Sequence, residues 1–360
     1  MSNRVIKGLV MRIGIPQEIK PFEGRVGLVP AAAGDLVAAG HQVLIQQGAG
    51  VVSGFSDRDY TRLGVSLAED AATLFAEAEL IVKVKEPVEP ELDLLQPHHL
   101  LFSFLHLAAA PGLRAKLCEI GLTAVAFETV ADHGGLPVLA PMSNIAGRIA
   151  VQAGAHYLHR SLGGKGVLLG GLGSVERGNV VVLGAGNAGG NAVHLAADLG
   201  ATVTVFDKNP LKLEQMHGLA PNITALYPYQ DELDRAVLGA DLLIGAVLLP
   251  GARAPLLVTR EQVAGMQQGS VIVDIAVDQG GCIETTHPTS YDDPVFVEAG
   301  VLHFGVTNMP GAVPRTASAA LSASLLPYVQ RLARPGWQDD QVLAAGVNVR
   351  EGRVVLPALL

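Results

Sequence analysis

A glycine-rich turn in the middle of the chain has the residue spacing of a phosphate-binding loop. An apolar run at 181–183 leads into Gly184, Gly186 and Gly189, which form the pattern G-x-G-x-x-G. In such a turn the first glycine allows a tight bend, the second lets the backbone approach a pyrophosphate, and the third allows a helix to pack closely on the strand. The N–H groups that begin this helix can bind phosphate. The pattern therefore predicts a dinucleotide site.

An acidic residue follows at the distance that such a site requires. A second apolar run at 201–206 ends in Asp207, 23 residues after Gly184. A carboxylate there can accept hydrogen bonds from adenosine ribose hydroxyls and would repel a 2′-phosphate, which favours NAD over NADP. Because the chain has 42 glycines, an ordinary glycine turn of an α/β sheet remains the alternative.

Four further polar residues could act on a substrate. Lys85 and His106 close apolar runs, and Asp278 follows one. The fourth residue, Arg25, lies in the stretch Glu-Gly-Arg-Val. A guanidinium binds a carboxylate with two hydrogen bonds, an ammonium binds a carbonyl or carboxylate oxygen, and a histidine transfers protons near neutral pH. Each has a structural alternative as a surface charge, a loop cap or a turn residue, so these residues predict a second site without naming its substrate.

The elements that would position these residues alternate between strands and helices. Strands are predicted at 11–16, 41–46, 80–85, 100–105, 123–127, 201–206, 240–247 and 270–275, and helices at 31–39, 71–78, 145–162, 190–199 and 314–334. This alternation predicts an α/β fold of two Rossmann-like domains, with doubly wound, mainly parallel sheets and a cleft between them. We expect one domain at 1–135 with 310–360 and a nucleotide-binding domain at 136–309.

Composition excludes several classes of protein. With 360 residues and a net charge of −9, the chain is long enough for two domains and too acidic for a general nucleic-acid binder. Its two cysteines, Cys118 and Cys282, support neither a disulfide framework nor a zinc site, and they favour a cytoplasmic location. No membrane span or signal peptide is expected. Residues 1–10 are predicted to form a dispensable extension.

Nine stretches together resemble the alanine dehydrogenase family over most of the chain. They read IGIPQE at 13–18, RV at 25–26, AGHQV at 39–43, GAG at 48–50, KVKEP at 83–87, FLHL at 104–107, LAPMS at 139–143, DIAVDQGG at 274–281 and NMP at 308–310. The resemblance implies NAD-dependent oxidative deamination of L-alanine to pyruvate and ammonia, and the reverse amination. It also implies a homo-oligomer, specifically a hexamer. No metal site and no nucleic-acid or membrane partner is expected.

The resemblance also assigns roles to residues. It makes Arg25 and Lys85 the substrate-binding residues, and His106 and Asp278 the acid–base pair. It places the cofactor against Ser143, Gly184, Gly186, Asn187, Ala188, Gly189, Asp207, Lys208, Val247, Leu248, Asn308 and Met309. The chain departs from the family at Asn144, where an acid commonly follows the serine, and its C-terminus is shorter than usual.

Two other functions remain open. One is an NAD(H)-binding module related to the soluble domain of a proton-translocating transhydrogenase, and the other is a dehydrogenase of another small amino acid. His106 favours a dehydrogenase, because the transhydrogenase pattern has no histidine at that position.

Overall fold

The computed structural model describes residues 10–247 and 254–360. These residues form two compact units. The first contains residues 10–142 and Gly311–Leu360, and the second contains Ser143–Pro310. Leu248, predicted to contact the cofactor, and residues 1–9 of the predicted N-terminal extension lie outside the described residues.

The strands are short and mostly buried. In chain order they are β1 (Arg12–Ile15), β2 (Gln42–Gln46), β3 (Ser66–Ala68), β4 (Leu80–Val82), β5 (Leu100–Ser103), β6 (Thr123–Ala126), β7 (Asn179–Leu183), β8 (Thr202–Phe206), β9 (Ile223–Leu226), β10 (Leu242–Gly245), β11 (Val271–Asp274), β12 (Val295–Glu298), β13 (Val301–Phe304), β14 (Val347–Arg350) and β15 (Arg353–Val354). All four residues of β5, β10 and β11 are buried, as expected for parallel strands covered on both faces.

Helices connect most of these strands. They are α1 (Pro30–Ala38), α2 (Asp57–Thr61), α3 (Ala71–Glu77), α4 (Glu89–Leu92), α5 (Pro111–Ile120), α6 (Ala140–Tyr157), α7 (Asn187–Asp198), α8 (Pro210–His217), α9 (Gln230–Leu238), α10 (Arg260–Ala264), α11 (Pro314–Leu332) and α12 (Gln341–Gly346). Alternating strands and helices give each sheet its parallel core, because parallel neighbours need a crossover connection.

The sheet of the first unit has the strand order β15-β14-β6-β5-β4-β1-β2-β3 within the described residues. From β6 to β3 all neighbours are parallel, whereas β14 pairs antiparallel with β6 and β15 pairs antiparallel with β14. The sheet of the second unit has the order β12-β13-β11-β10-β7-β8-β9, and only β12 is antiparallel there.

Both sheets reverse their winding direction beside their first strand. The chain runs from β1 to β2 and β3 on one side and then to β4, β5 and β6 on the other, and β7 to β13 repeat this order. Such a reversal leaves a crevice at the carboxyl ends of the strands, where ligands of open α/β sheets bind. The predicted fold class, with two doubly wound and mainly parallel sheets, is confirmed.

Several predicted boundaries are wrong. The strands β4, β5 and β11 end at Val82, Ser103 and Asp274, earlier than predicted. After β4, the N–H groups of Val84 and Lys85 bond to the Glu18 carboxylate instead of to a neighbouring strand. Helix α7 begins at Asn187, three residues before the predicted start, because the glycine turn supplies its first residues. The predicted helix at 145–162 instead begins at Ala140.

A buried histidine in the first unit is held in its neutral form. Nδ1 of His99 accepts a hydrogen bond from the Gln96 N–H at 2.9 Å, so Nε2 carries the proton and donates to the Phe75 carbonyl at 2.9 Å. Burial lowers the pKa of His99 to about 4. Protonation would place a charge in a buried site and would remove the hydrogen bond from Gln96. Both effects disfavour the charged ring in the folded state.

We expect this histidine to make the protein sensitive to acid. Because the pKa of His99 is lower in the folded chain than the ordinary 6.5, its contribution to stability is present above about pH 6.5 and is lost as the pH falls toward 4. His99→Gln retains an acceptor and a donor but does not titrate, so its melting temperature should fall less between pH 7 and pH 5 than that of the parent. An exposed histidine on α8 of the second unit provides a control, since His217→Gln should keep the parental pH dependence.

Candidate functional site

The three glycines of the turn after β7 differ in their surroundings. Gly184 has a φ of +96°, and a Cβ there would lie 2.9 Å from the Ala246 carbonyl oxygen. A Cβ on Gly189 would overlap the carbonyl oxygen of Gly184, so α7 can pack against the turn only with glycine there. Gly186 has an ordinary φ of −76°, and a Cβ there would have no neighbour within 4 Å. The first and third glycines are therefore required by the fold, whereas the second borders open space.

The helix that follows offers its backbone donors to that space. Gly186 is the N-cap of α7 and provides no side-chain cap, and the first turn carries no acidic residue. The leading N–H groups of a helix have no partner within the helix and favour an anion. Asn187 is exposed and Ala188 is partly buried in this first turn.

Asp207, at the end of β8, is bonded directly to the glycine turn. Its Oδ2 accepts a hydrogen bond from the Ala185 N–H at 2.7 Å, and its Oδ1 accepts one from the Asn209 N–H at 2.8 Å. Lys208 is exposed, and Lys212 Nζ lies 3.9 Å from Asp207 Oδ2. The carboxylate is thus fixed beside the turn by backbone amides.

The other candidate cofactor residues come from the neighbouring elements of the second unit. Ser143 lies in the first turn of α6, one turn before Gly147, where a Cβ would overlap the Ala188 carbonyl oxygen. Helix α6 therefore packs against the start of α7. Val247 follows β10 and is half-buried.

Asn308 and Met309 follow β13 in the same unit. Asn308 has a φ of +56°, and its N–H lies 3.5 Å from Asp278 Oδ2. Met309 is buried, and its carbonyl accepts a hydrogen bond from the Tyr291 hydroxyl at 3.0 Å.

Asp278 is exposed and lies in a 3-10 turn at Ile275–Gln279, directly after β11. A buried carboxylate fixes the base of this turn, because Asp274 accepts hydrogen bonds from the N–H groups of Ala276 and Cys282, each at 2.9 Å. Burial raises the pKa of Asp274 to about 6. The sequence reading assigned no role to Asp274, although a lone acid inside an apolar run was a usable signal.

In the first unit, Arg25 is buried and paired with a carboxylate. Its Nε donates to Glu23 Oε1 at 2.7 Å, its Nη2 bonds to Glu23 Oε2, and its Nη1 lies 3.2 Å from the sulfur of Met142. The two charged side chains are 2% and 0% exposed. Glu23 fixes the guanidinium plane, and sequence reasoning missed this partner even though it stands only two residues before the arginine.

His106 lies three residues beyond the end of β5, in the left-handed conformation with a φ of +49°. Glu128 holds this turn, because its Oε1 accepts the His106 N–H at 2.6 Å and both of its oxygens lie 3.3 Å from the Leu105 N–H. The ring stacks on Phe104, and its Nδ1 lies 3.9 Å from Glu128 Oε1. The carboxylate thus fixes the turn that carries the imidazole.

Strand order brings the sequence-predicted residues together in two groups. Arg25, Lys85 and His106 follow β1, β4 and β5, which are adjacent and parallel. The second group follows the strands of the other sheet at its carboxyl edge and consists of the glycine turn, Asp207, Val247, Asp278, Asn308 and Met309. The two groups lie in different units.

The described residues provide neither a membrane-spanning helix nor a cluster of metal-binding side chains. Over 10–247 and 254–360, none of the helices is long and apolar enough to cross a membrane. The same ranges contain no group of three or more His, Cys, Asp or Glu side chains placed to hold a metal ion.

The fold and the glycine turn define a two-unit α/β protein of the dinucleotide-binding class. A family model described as "Alanine dehydrogenase/PNT, N-terminal domain" matches residues 14–146, and one described as "Alanine dehydrogenase/PNT, C-terminal domain" matches residues 150–357. The chain belongs to this alanine dehydrogenase/PNT family, which confirms the resemblance seen in the sequence.

Individual relatives agree with the family. The chain is 48% identical to an alanine dehydrogenase of Mycolicibacterium smegmatis, over 97% of this chain and 96% of that protein. A solved L-alanine dehydrogenase is 50% identical with a TM-score of 0.93, over 97% of this chain and 98% of the other. A transhydrogenase from Sinorhizobium meliloti is 27% identical with a TM-score of 0.84, over 96% of this chain and 100% of the other.

The different surroundings of the glycines allow a test that separates folding from binding. Gly186→Ala should keep the parental melting temperature, because the added methyl group meets no protein atom, yet it should weaken NADH binding by occupying the space before α7. Loss of one hydrogen bond to a charged group costs about 1.5–3 kcal/mol, or about 10- to 150-fold in Kd. Calorimetric titration with NADH measures this change.

The matched control lies four residues further on. A Cβ on Gly190 would meet only the methyl group and the sulfur of Met216, at ordinary distances of 3.6 and 3.8 Å, so Gly190→Ala should bind NADH as the parent does. Parental affinity in Gly186→Ala would contradict a pyrophosphate site at this turn.

Proposed function

We propose that the protein is an NAD-dependent alanine dehydrogenase. It would convert L-alanine to pyruvate and ammonia and would also catalyse the reverse reductive amination. The observation that carries the proposal is the placement of Arg25, Lys85 and His106 after three adjacent parallel strands at the point where the winding of the sheet reverses. That set provides two cations for a small carboxylate and a histidine for proton transfer. The relatives named alanine dehydrogenase support the substrate.

The residues of the second unit suit NAD. The open space at Gly186 and the uncapped start of α7 fit a pyrophosphate, and Asp207 offers a carboxylate to the adenosine ribose. A 2′-phosphate would be repelled by that carboxylate. When bound, NAD accepts a hydride from the substrate.

The residues of the first unit would bind and orient the amino acid. We assign the substrate carboxylate to Arg25, whose guanidinium is fixed by Glu23, and a carboxylate or carbonyl oxygen to Lys85. Alignment of the reacting carbon contributes more to this chemistry than a strong base does. The amine must be neutral before its carbon can be oxidised.

His106 and Asp278 are our candidates for proton transfer during hydrolysis of the imine. Loss of a hydride from the neutral amine leaves a protonated imine. Water adds to its carbon and gives up one proton, which yields a neutral carbinolamine. Its collapse releases ammonia and restores the carbonyl, with the hydroxyl proton returning to the departing nitrogen. Glu128 accepts the His106 N–H and so holds the turn that presents the ring to the imine. We also propose a homo-oligomer, as the resemblance implies.

Turnover tests the function directly. L-Alanine with NAD should form NADH, and pyruvate with ammonium should consume it, both followed by absorbance. Serine, 2-aminobutyrate and glycine are tested in parallel, and NADP replaces NAD in a second series. Absence of turnover with every small 2-amino acid would contradict the enzyme and would favour an NAD(H)-binding module like the transhydrogenase relative. Equal rates with NADP would contradict the role of Asp207.

A histidine substitution tests the mechanism. His106→Asn should lower kcat by about 10²- to 10⁴-fold, the usual contribution of acid–base catalysis, while NADH affinity stays parental. Asparagine tolerates the left-handed backbone at this position, so the fold should survive.

His133 is the matched control because it also has a positive φ, of 50°, and its side chain is 96% exposed. His133→Asn should retain parental kcat. If His106→Asn did so too, His106 would be removed from the mechanism.

A further inference from the structure

A cluster of three charged side chains is buried beneath the end of β4. Lys83 Nζ lies 3.3 Å from Glu18 Oε2 and 3.0 Å from Glu91 Oε1, and the three side chains are 0%, 1% and 4% exposed. Burial alone would lower the pKa of Lys83, but the two carboxylates more than offset this and raise it, so the ammonium stays charged. None of the three residues has a part in the proposed chemistry.

The cluster holds both backbone groups of the next lysine in the chain. The N–H of Lys85 lies 3.3 Å from Glu18 Oε2, and its carbonyl accepts a hydrogen bond from Lys83 Nζ at 3.0 Å. The preceding N–H, of Val84, donates to Glu18 Oε1 at 2.5 Å. Strand β4 has already ended at Val82, so these charged groups fix the path of the chain at the edge of the sheet.

Glu91 completes the cluster from another element. Its Oε2 accepts hydrogen bonds from Lys83 Nζ at 3.1 Å and from the Val88 N–H at 3.0 Å. Through Glu91, helix α4 therefore connects the segment after Lys85 to the Lys83 ammonium. Glu18, before β4 in the sequence, and Glu91, after it, hold the segment from both sides.

Stability alone is a poor explanation for such a cluster. Removal of three charges from water is costly, and apolar residues of similar volume often stabilise a fold as well or better. Apolar residues, however, could not bind the peptide groups of Lys85. A displacement of about 1 Å in a substrate-positioning group can reduce turnover by about 100-fold, so the path of this peptide matters for function.

We infer that Glu18, Lys83 and Glu91 are positioning residues that set the geometry with which Lys85 binds the substrate. This inference rests on the proposed function, in which Lys85 contacts the carboxylate or carbonyl oxygen of alanine and pyruvate.

Glu18→Gln is the first test. The amide has the shape of the carboxylate, but its nitrogen cannot accept a hydrogen bond, so either the Val84 N–H or the Lys85 N–H loses its acceptor. We expect kcat/KM for pyruvate to fall by about 10- to 100-fold, mainly through a higher KM, because one positioning bond is lost. The KM for NADH should not change. Glu119→Gln is the matched control, since Glu119 forms an exposed pair with Lys116 on α5, and it should keep all parental constants.

A pair of variants separates positioning from folding. Lys83→Met leaves two carboxylates buried without their counter-ion and should lower the melting temperature strongly. Lys83→Met combined with Glu18→Gln removes a charge of each sign and should recover much of that loss, yet it cannot restore the hydrogen bond from Lys83 to the Lys85 carbonyl. We therefore expect the double variant to be folded and to keep a raised KM for pyruvate.

The outcomes distinguish the two proposals. These outcomes apply when the parent turns over pyruvate. If either Glu18→Gln or the double variant then keeps the parental KM for pyruvate, the cluster serves stability and the positioning role is wrong. Recovery of this KM in parallel with the melting temperature would overturn the inference in the same way. If the parent itself shows no turnover with any small 2-oxo acid, the proposed function is wrong and the positioning role falls with it.

Discussion

Helices bury both faces of each parallel sheet, so side chains that bind a ligand must lie at the edge where the strands end. The rest of this structure depends on that constraint. In each unit the winding direction reverses beside the first strand, β1 or β7. This reversal leaves a crevice at the carboxyl ends of the strands. The first unit presents Arg25 and its neighbours there, and the second presents the glycine turn.

Buried or partly buried carboxylates hold the polar groups at these edges. Glu23 fixes a guanidinium, Glu128 fixes the turn that carries His106, Asp274 fixes the turn that carries Asp278, and Glu18 fixes the peptide of Lys85. Three of them accept backbone N–H groups just beyond the end of a strand, where the ladder no longer satisfies them. An unsatisfied buried N–H is costly, so each carboxylate stabilises the chain where a functional group leaves the sheet.

The sequence predicted the strands more reliably than their ends. Apolar runs such as those of β5 and β11 identify buried strands, but the run continues beyond the point where pairing stops. Val84 and Leu105 are buried beside the sheet and extend the apolar runs beyond the strands, although the Val84 carbonyl still accepts a hydrogen bond from the Phe104 N–H. The same ambiguity placed His106 at the end of a strand, whereas it lies in a turn with a positive φ. Six strands of two to four residues were not predicted, because so short a run carries little signal; they are β3, β9, β12, β13, β14 and β15.

The sequence by itself determined the glycine turn, the acid after β8 and the two-unit α/β architecture, because these depend on local spacing and on the period of apolar residues. Only the tertiary structure decided which charges meet. Glu18, Lys83 and Glu91 are spread over more than seventy residues, and no local pattern indicates that their side chains share one buried site. A pairing of that kind depends on strand order and on the removal of water around the charges, and both are set only when the whole sheet has formed.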